Sequence, residues 1–167
     1  MPNWCENNLI LGHKDEDRIK LVEKTVRNIL DTSSDDLKEE QGLMNSFVPR
    51  PSKEVLGDNG WYDWEIKNWG CKWDIYEQWN HDPKPYFDED KKLHCIELGF
   101  DSAWSPPIAF YTTMEDRGFY VHATFLEAGC DYVGRYTEGV DTTYSLDDVP
   151  KTDEELYEYV QNWRAED

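Results

Sequence analysis

The spacing of apolar residues switches repeatedly between the period of a strand and the period of a helix, and this order limits the folds that the chain can adopt. A short apolar run over residues 4–12 ends at a glycine, as is typical of a buried strand. After Asp15 the apolar residues recur three or four positions apart, the spacing of one helix face: Ile19, Val22, Val26, Ile29 and Leu30. A strand over 93–104, a helix over 106–117 and a strand over 119–126 are predicted next. This order favours a split βαβ arrangement, with helices on one face of an antiparallel sheet.

Further elements extend this α+β pattern. The Trp-rich segment 61–74 predicts a short helix, and the alternation that follows predicts a strand over 73–79. Turn residues near the C-terminus predict a meander with strands over 132–137 and 142–146, and a last helix over 156–163. With 167 residues the chain has the length of one domain. We therefore expect a single hydrophobic core.

The charge balance indicates which classes of partner to expect: nucleic acid, membrane or protein. The chain carries 36 acidic and 17 basic residues, a net charge of −19, which repels nucleic-acid phosphates and anionic lipid. Neither direct nucleic-acid binding nor membrane binding is therefore expected. The surplus is concentrated over residues 96–167 and predicts a surface that attracts a basic protein, although solubility alone would also account for it. The candidate partner-binding residues are Asp147, Asp148, Asp153, Glu154, Glu155 and Glu158.

Tryptophans are the second unusual feature, since the chain has eight of them. Indole rings can form a pocket in which a flat ligand stacks, and nearby lysines can meet an anion. The alternative is that these rings are part of the core, where large aromatic residues at regular spacing are common. The candidate ligand-binding residues are Trp61, Trp64, Trp69 and Trp104, together with Lys67 and Lys72.

No cofactor, metal site or catalytic residue is predicted. The four histidines lack metal-ligand spacing, and the four cysteines lie far apart, as expected of free thiols in a reducing compartment. The N-terminus carries no export signal and no apolar run is long enough to cross a bilayer, so a cytoplasmic location is expected. Clustered carboxylates keep a metal-dependent hydrolase open as a further hypothesis: Asp63, Glu65, Asp74, Glu97 and Asp101.

Three strings carry a family resemblance: MPNWCENN at residues 1–8, WYDWEIKNWGCKWD at 61–74 and FDSAWSPP at 100–107. In their sequence and order they resemble the YubB-type ferredoxin-like domain family, small proteins carried by bacteriophages and conjugative plasmids. The resemblance implies one ferredoxin-like domain with a family-like core over 1–140 and an acidic C-terminal extension over 141–167. The resemblance also implies that the protein functions in the bacterial cytoplasm, but it does not indicate a particular reaction.

Together these features predict a ferredoxin-like split βαβ sandwich of the α+β class with extra C-terminal strands and a helix. The first functional hypothesis is a phage-type, non-enzymatic acidic protein that engages a basic host protein, such as a host-defence or nucleic-acid enzyme that it inhibits. The second is a receptor or sponge for a small nucleotide-like ligand, with a Trp-lined pocket. The metal-dependent hydrolase is the third.

Overall fold

The fold is built on one antiparallel sheet of six strands in the part of the chain that a computed structural model describes, residues 3–166. The strands are β1 (Trp4–His13), β2 (Tyr86–Asp88), β3 (Leu93–Ala103), β4 (Tyr120–Glu127), β5 (Tyr132–Thr137) and β6 (Val140–Tyr144). The α-helices are α1 (Glu16–Asp31), α2 (Leu43–Phe47), α3 (Lys53–Leu56), α4 (Gly60–Asn68), α5 (Ile108–Asp116) and α6 (Glu154–Glu166), and a 3₁₀ turn covers Glu39–Gln41.

The strand order β2-β3-β1-β4-β5-β6 contains the split βαβ order in its first four strands. β1 lies between β3 and β4 and is antiparallel to both, so each of the two βαβ crossovers passes over one intervening strand. β5 and β6 then extend the sheet beyond β4. The predicted ferredoxin-like α+β sandwich with extra C-terminal strands and a helix is confirmed.

One face of the sheet packs against α1 and α5 and forms the main core. A polar cluster holds its centre together: Asn7 donates through Nδ2 to Ser102 Oγ at 2.9 Å, and the hydroxyl of Tyr111 donates to Asn7 Oδ1 at 3.0 Å. All three residues are buried. Because these hydrogen bonds join β1, β3 and α5, they fix how the sheet and the helix lie against each other.

The opposite face of the sheet is covered in part by α6, and a second apolar cluster forms there, so the expectation of a single core is wrong. Leu126 and Val133 of the sheet meet Leu156 and Val160 of α6. Phe125, next to Leu126, belongs to the main core, because neighbouring residues of a strand point to opposite faces. The sequence pattern predicts α6 but not the face of the sheet on which it packs.

The connection from α1 to β2 spans residues 32–85 and contains α2, α3 and α4. The strand predicted over 73–79 is wrong, since this segment has no regular strand structure. Asp74 and Ile75 are neighbours and both are buried, which breaks a period of two. Asp74 turns inward because its carboxylate accepts backbone N–H groups from Met44 and Asn45 at the start of α2.

Candidate functional site

Of the four tryptophans that the sequence analysis grouped into one pocket, the fold brings two, Trp61 and Trp69, to the same cavity. Trp69 is 2% exposed and its indole N–H donates to the carbonyl of Val48 at 2.9 Å. Trp64 packs edge-on against Trp69 with ring centroids 5.4 Å apart. Trp64 and Trp69 therefore belong to the core, and Trp69 also lines a cavity together with Trp61. Trp104 is 41% exposed.

Exposed rings and one lysine form a second grouping, which we call the aromatic surface: Trp4, Tyr62, Lys72, Trp73 and Trp104. The ammonium of Lys72 lies 4.6 Å from the ring centroid of Trp73 and 4.5 Å from that of Trp104, within the range of cation–π attraction. Lys67, the other predicted lysine, is exposed in the last turn of α4. The lysine that the sequence analysis assigned to an anion is therefore already held between two indoles.

Trp104 adopts an unusual backbone conformation that presents its ring to solvent. Its φ is 74°, in the left-handed region that bulky residues rarely occupy. Its N–H donates to the carbonyl of Asn3 at 2.8 Å, and its own carbonyl accepts from the hydroxyl of Tyr132 at 3.3 Å. Such backbone strain persists where the surroundings impose it, and it is concentrated at functional sites.

The outer face of the sheet carries a groove between α6 and the loop that contains Trp79. Two adjoining cavities of about 450 Å³ and 320 Å³ form it and share Asn8, Tyr159 and Asn162. We call it the acidic groove because carboxylates from β1, β3 and α6 line it: Glu6, Glu97, Asp101, Glu155, Glu158 and Glu166. Among the described lining residues, His122 is the only one that can carry a positive charge.

Strand pairing places two of these carboxylates side by side. Glu6 of β1 lies directly opposite Asp101 of β3 in the antiparallel register, and Ile10 lies opposite Glu97. Like charges directly opposite each other destabilise a sheet. Burial raises the pKa of Asp101, the side-chain hydrogen bond from Trp79 lowers it, and the charge of Glu77 raises it. The groove therefore concentrates carboxylates on one face of the sheet.

Trp79 forms the wall of the groove opposite α6, and a glycine makes its position possible. The ring of Trp79 lies so close to Gly99 that a Cβ there would stand 2.4 Å from ring carbons. The backbone N–H of Trp79 donates to the carbonyl of Gly99 at 2.9 Å. Any larger residue at this position of β3 would displace the indole from the sheet.

The acidic residues proposed from the C-terminal sequence divide into three groups. Asp153 is held by Arg135 at 2.8 and 3.1 Å, and Asp147 is held by Arg164. Glu155 contacts Arg135 at 3.3 Å and His122 at 2.7 Å, yet it lines the groove, as does Glu158. Asp148 and Glu154 are exposed and do not line the groove.

Four groove carboxylates were missed by sequence reasoning as partner-binding residues: Glu6, Glu97, Asp101 and Glu166. Glu97 and Asp101 had been considered only as part of a catalytic cluster. The missing signal was strand parity, because even-numbered residues of β1 and odd-numbered residues of β3 share the outer face. Parity alone would not reveal that α6 folds over the same face.

A separate cavity of about 540 Å³ lies between α4, the segment 39–58 and the loop 73–76. Glu65 lines it with a side chain that is only 3% exposed. One carboxylate oxygen of Glu65 accepts from Arg50, which also bonds Glu39, while the other oxygen, Oε2, has no hydrogen-bond partner among the described residues. Burial raises the pKa of Glu65 to about 7, against the lowering effect of Arg50.

A second buried carboxylate, Asp74, lines the same cavity and is fully engaged by the backbone. It accepts N–H groups from Met44 at 2.7 Å, Asn45 at 2.9 Å and Ile75 at 2.7 Å. Burial raises its pKa to about 6, and these hydrogen bonds lower it. Gly42 is required beside it, since a Cβ there would stand 2.2 Å from a carboxylate oxygen of Asp74.

The remaining chemistry-bearing groups point to no further site. Burial raises the pKa of the Cys5 thiol to about 12 and that of Cys71 further, which keeps both protonated and unreactive. Over residues 3–166, no group of three or more His, Cys, Asp or Glu side chains is arranged to hold a metal ion. In the same range no helix is long and apolar enough to cross a membrane.

The fold and its outer face define the class of protein: a ferredoxin-like α+β sandwich with an acidic groove over its open sheet face. Comparison with protein-family models, with curated proteins and with solved structures gives no match to this chain.

Proposed function

We propose that the protein is a non-enzymatic binding protein whose acidic groove takes a basic segment of another protein. The observation that carries this proposal is the set of six carboxylates from three separate elements, gathered on one face beside a single histidine. Complementary charge steers association and fixes which partner fits. The six carboxylates of the groove produce a negative electrostatic potential over one defined surface rather than over the whole molecule.

The paired carboxylates of Glu6 and Asp101 favour a cationic occupant over plain solubility as the reason for the charge. Acidic residues that only keep a protein soluble can lie anywhere on the surface, whereas these two face each other across neighbouring strands. A lysine or arginine side chain placed between them would be attracted by both carboxylates.

Aromatic residues beside the groove suit arginine and lysine side chains. Trp79, Tyr159 and Trp163 line it, and such rings attract a guanidinium plane or cover the alkyl stem of a lysine. Trp79 and Asp101 also line an adjoining cavity of about 700 Å³ with Trp4 and Trp73. The acidic groove and the aromatic surface thus meet, which supports one continuous acidic, Trp-bearing interface.

The kind of partner that we propose leans on the resemblance to the YubB-type family. In a phage- or plasmid-encoded protein of the bacterial cytoplasm, the basic partner is a host protein, and a host-defence or nucleic-acid enzyme inhibited by the contact fits best. The receptor for a nucleotide-like ligand and the metal-dependent hydrolase stay as alternative hypotheses, and the arrangement of the groove favours neither of them.

A defined basic peptide tests the groove directly. Isothermal titration with an arginine-rich peptide at low and high salt should show affinity that falls steeply as salt rises, because the contact is electrostatic. The double variant Asp101→Asn/Glu97→Gln should weaken binding by about tenfold or more. Affinity that is indifferent to salt would count against the proposal.

The matched control removes the same two charges outside the groove. Asp148→Asn/Glu154→Gln changes net charge equally, at positions that do not line the groove, and should change the affinity by less than about threefold. Equal losses in the two double variants would show that only net charge matters, and the acidic groove would then not be the binding site.

A further inference from the structure

We infer that the cavity beside Glu65 is a binding site for a small organic cation, such as an amine or an amidinium. This cavity shares no lining residue with the acidic groove, although Trp73 of the aromatic surface also lines it. The inference rests on Glu65 and needs no partner in the groove. Its volume of about 540 Å³ lies in the range of small-molecule sites.

The group that such a ligand would bind is Oε2 of Glu65, a buried carboxylate oxygen without a hydrogen-bond partner among the described residues. The Glu65 side chain is 97% buried, and Oε2 lacks a hydrogen-bond partner among the described residues. A buried acceptor left without a donor is costly, and buried polar groups in native proteins are nearly always paired. An N–H donor on a ligand in the cavity would supply the missing partner.

The other polar groups of the cavity do not supply it. Arg50 bonds the first oxygen of Glu65 and reaches Glu39 with its other terminal nitrogen. Asp74 already accepts three backbone N–H groups. Lys53, the remaining basic residue of the lining, is exposed and pairs with Asp58 at 3.0 Å.

The charge of the lining decides between a cation and an anion. Four acidic residues line the cavity against two basic ones, and both basic residues are already paired with carboxylates. Lys67 and Lys72, which would have met the phosphate of a nucleotide, do not line it. A phosphate-bearing ligand is therefore disfavoured, and a positively charged one is attracted.

Aromatic walls fit an organic cation better than a metal ion. Trp61, Trp73 and Tyr76 line the cavity, with Trp69 buried at its base. Indole faces attract organic cations and cover their apolar parts, whereas a hard metal ion needs several oxygen ligands. The lining therefore combines aromatic rings with the Glu65 carboxylate, the two groups that a flat cation needs.

Binding should also release a proton. Burial and the charges of Asp74 and Glu39 raise the pKa of Glu65, while Arg50 lowers it, and the balance is about 7. Near that pH the carboxyl group is partly protonated, and a cation binds the ionised form. The carboxyl proton passes to solvent as the ligand N–H takes its place, so affinity should rise with pH between about 6 and 8.

The experiment compares benzamidine, a flat cation, with benzamide, its neutral analogue, by isothermal titration and by Trp fluorescence. Benzamidine should bind at least about tenfold more tightly. Titration in buffers of different ionisation enthalpy should show proton uptake by the buffer. Equal binding of the two compounds, or no binding of benzamidine, would overturn the inference.

Two single variants distinguish the effect of the Glu65 carboxylate from the effect of net charge. Glu65→Gln should lower benzamidine affinity by about tenfold or more. Asp63→Asn removes the same charge from an exposed side chain of α4 that does not line the cavity, and it should lower the affinity by less than about threefold. If Glu65→Gln fails to fold, the pH dependence and proton release of the unmodified protein decide. Equal losses from the Glu65 and Asp63 variants would overturn the inference.

Discussion

Glu65 should make the stability of the protein depend on pH, in a direction opposite to that of an ordinary ion pair. Its pKa is about 7 in the folded protein and 4.5 in an exposed carboxyl group, with burial as the largest cause. Between these values the folded chain holds a proton that the unfolded chain has lost. The free energy of unfolding therefore falls as pH rises from about 4.5 to 7.

The size of the effect follows from this difference in pKa. Each pKa unit corresponds to about 1.4 kcal/mol, so the full contribution of Glu65 is about 3 kcal/mol, of which about 2.5 kcal/mol falls between pH 5 and pH 8. Glu65→Gln removes the titration but keeps a group of the same shape that can still accept from Arg50. The unfolding free energy of this variant relative to the unmodified protein should therefore rise by about 2.5 kcal/mol from pH 5 to pH 8.

Urea unfolding followed by Trp fluorescence at pH 5, 6, 7 and 8 measures this difference, provided that unfolding is two-state. Comparing the two proteins at each pH cancels the titrating groups that do not interact with Glu65. Asp74, whose raised pKa acts in the same direction, interacts with Glu65 and cancels only in part. Asp58→Asn, which removes one carboxylate from an 81% exposed side chain, is the control variant. A flat difference for Glu65→Gln would mean that Arg50 keeps the carboxylate ionised, and the reasoning would be refuted.

Three further changes test other parts of the fold. Asn7→Leu leaves the Tyr111 hydroxyl without its acceptor in the core and should destabilise the protein by about 3 kcal/mol in urea unfolding, with the argument failing if the loss is below about 1 kcal/mol. Gly42→Ala pushes a Cβ into the carboxylate of Asp74 at 2.2 Å and should cost about 2 kcal/mol, measured as a lowered Tm. Gln78→Met should leave the Tm unchanged or raise it, because both polar atoms of this buried side chain lack partners among the described residues; a lower Tm would show that the amide is needed.

Local pattern predicted the elements that carry a regular period. The helix after Asp15 begins at Glu16, with the Asp15 side chain accepting from Asp17 N–H at its start, and β3 follows the predicted strand to within one residue. These elements are fixed by apolar spacing, which is visible in the letters. The segment 73–80 has a similar spacing but takes another structure, because Asp74 is drawn inward to bond α2, a partner about 30 residues away.

The candidate sites were harder to predict because each depends on contacts between distant parts of the chain. Glu6 and Asp101 become neighbours only through strand register, and Glu65 becomes a buried acid only because Arg50 and Asp74 close around it. The C-terminal run of acids looked like the centre of negative charge, yet Asp147 and Asp153 are neutralised within the fold. Charge counted along a sequence therefore locates the surplus, and only pairing in space shows which part of it stays available to a partner.

The acidic groove and the Glu65 cavity use carboxylates in two physically different ways. In the groove the charges are close together and partly exposed, so a cation gains from the summed field, and its affinity should depend on salt. In the cavity the Glu65 carboxylate is buried and partly protonated, so a cation gains from one desolvated contact, and its affinity should depend on pH more than on salt. A cation bound at both sites would therefore show two separable responses, with high salt suppressing one and low pH suppressing the other.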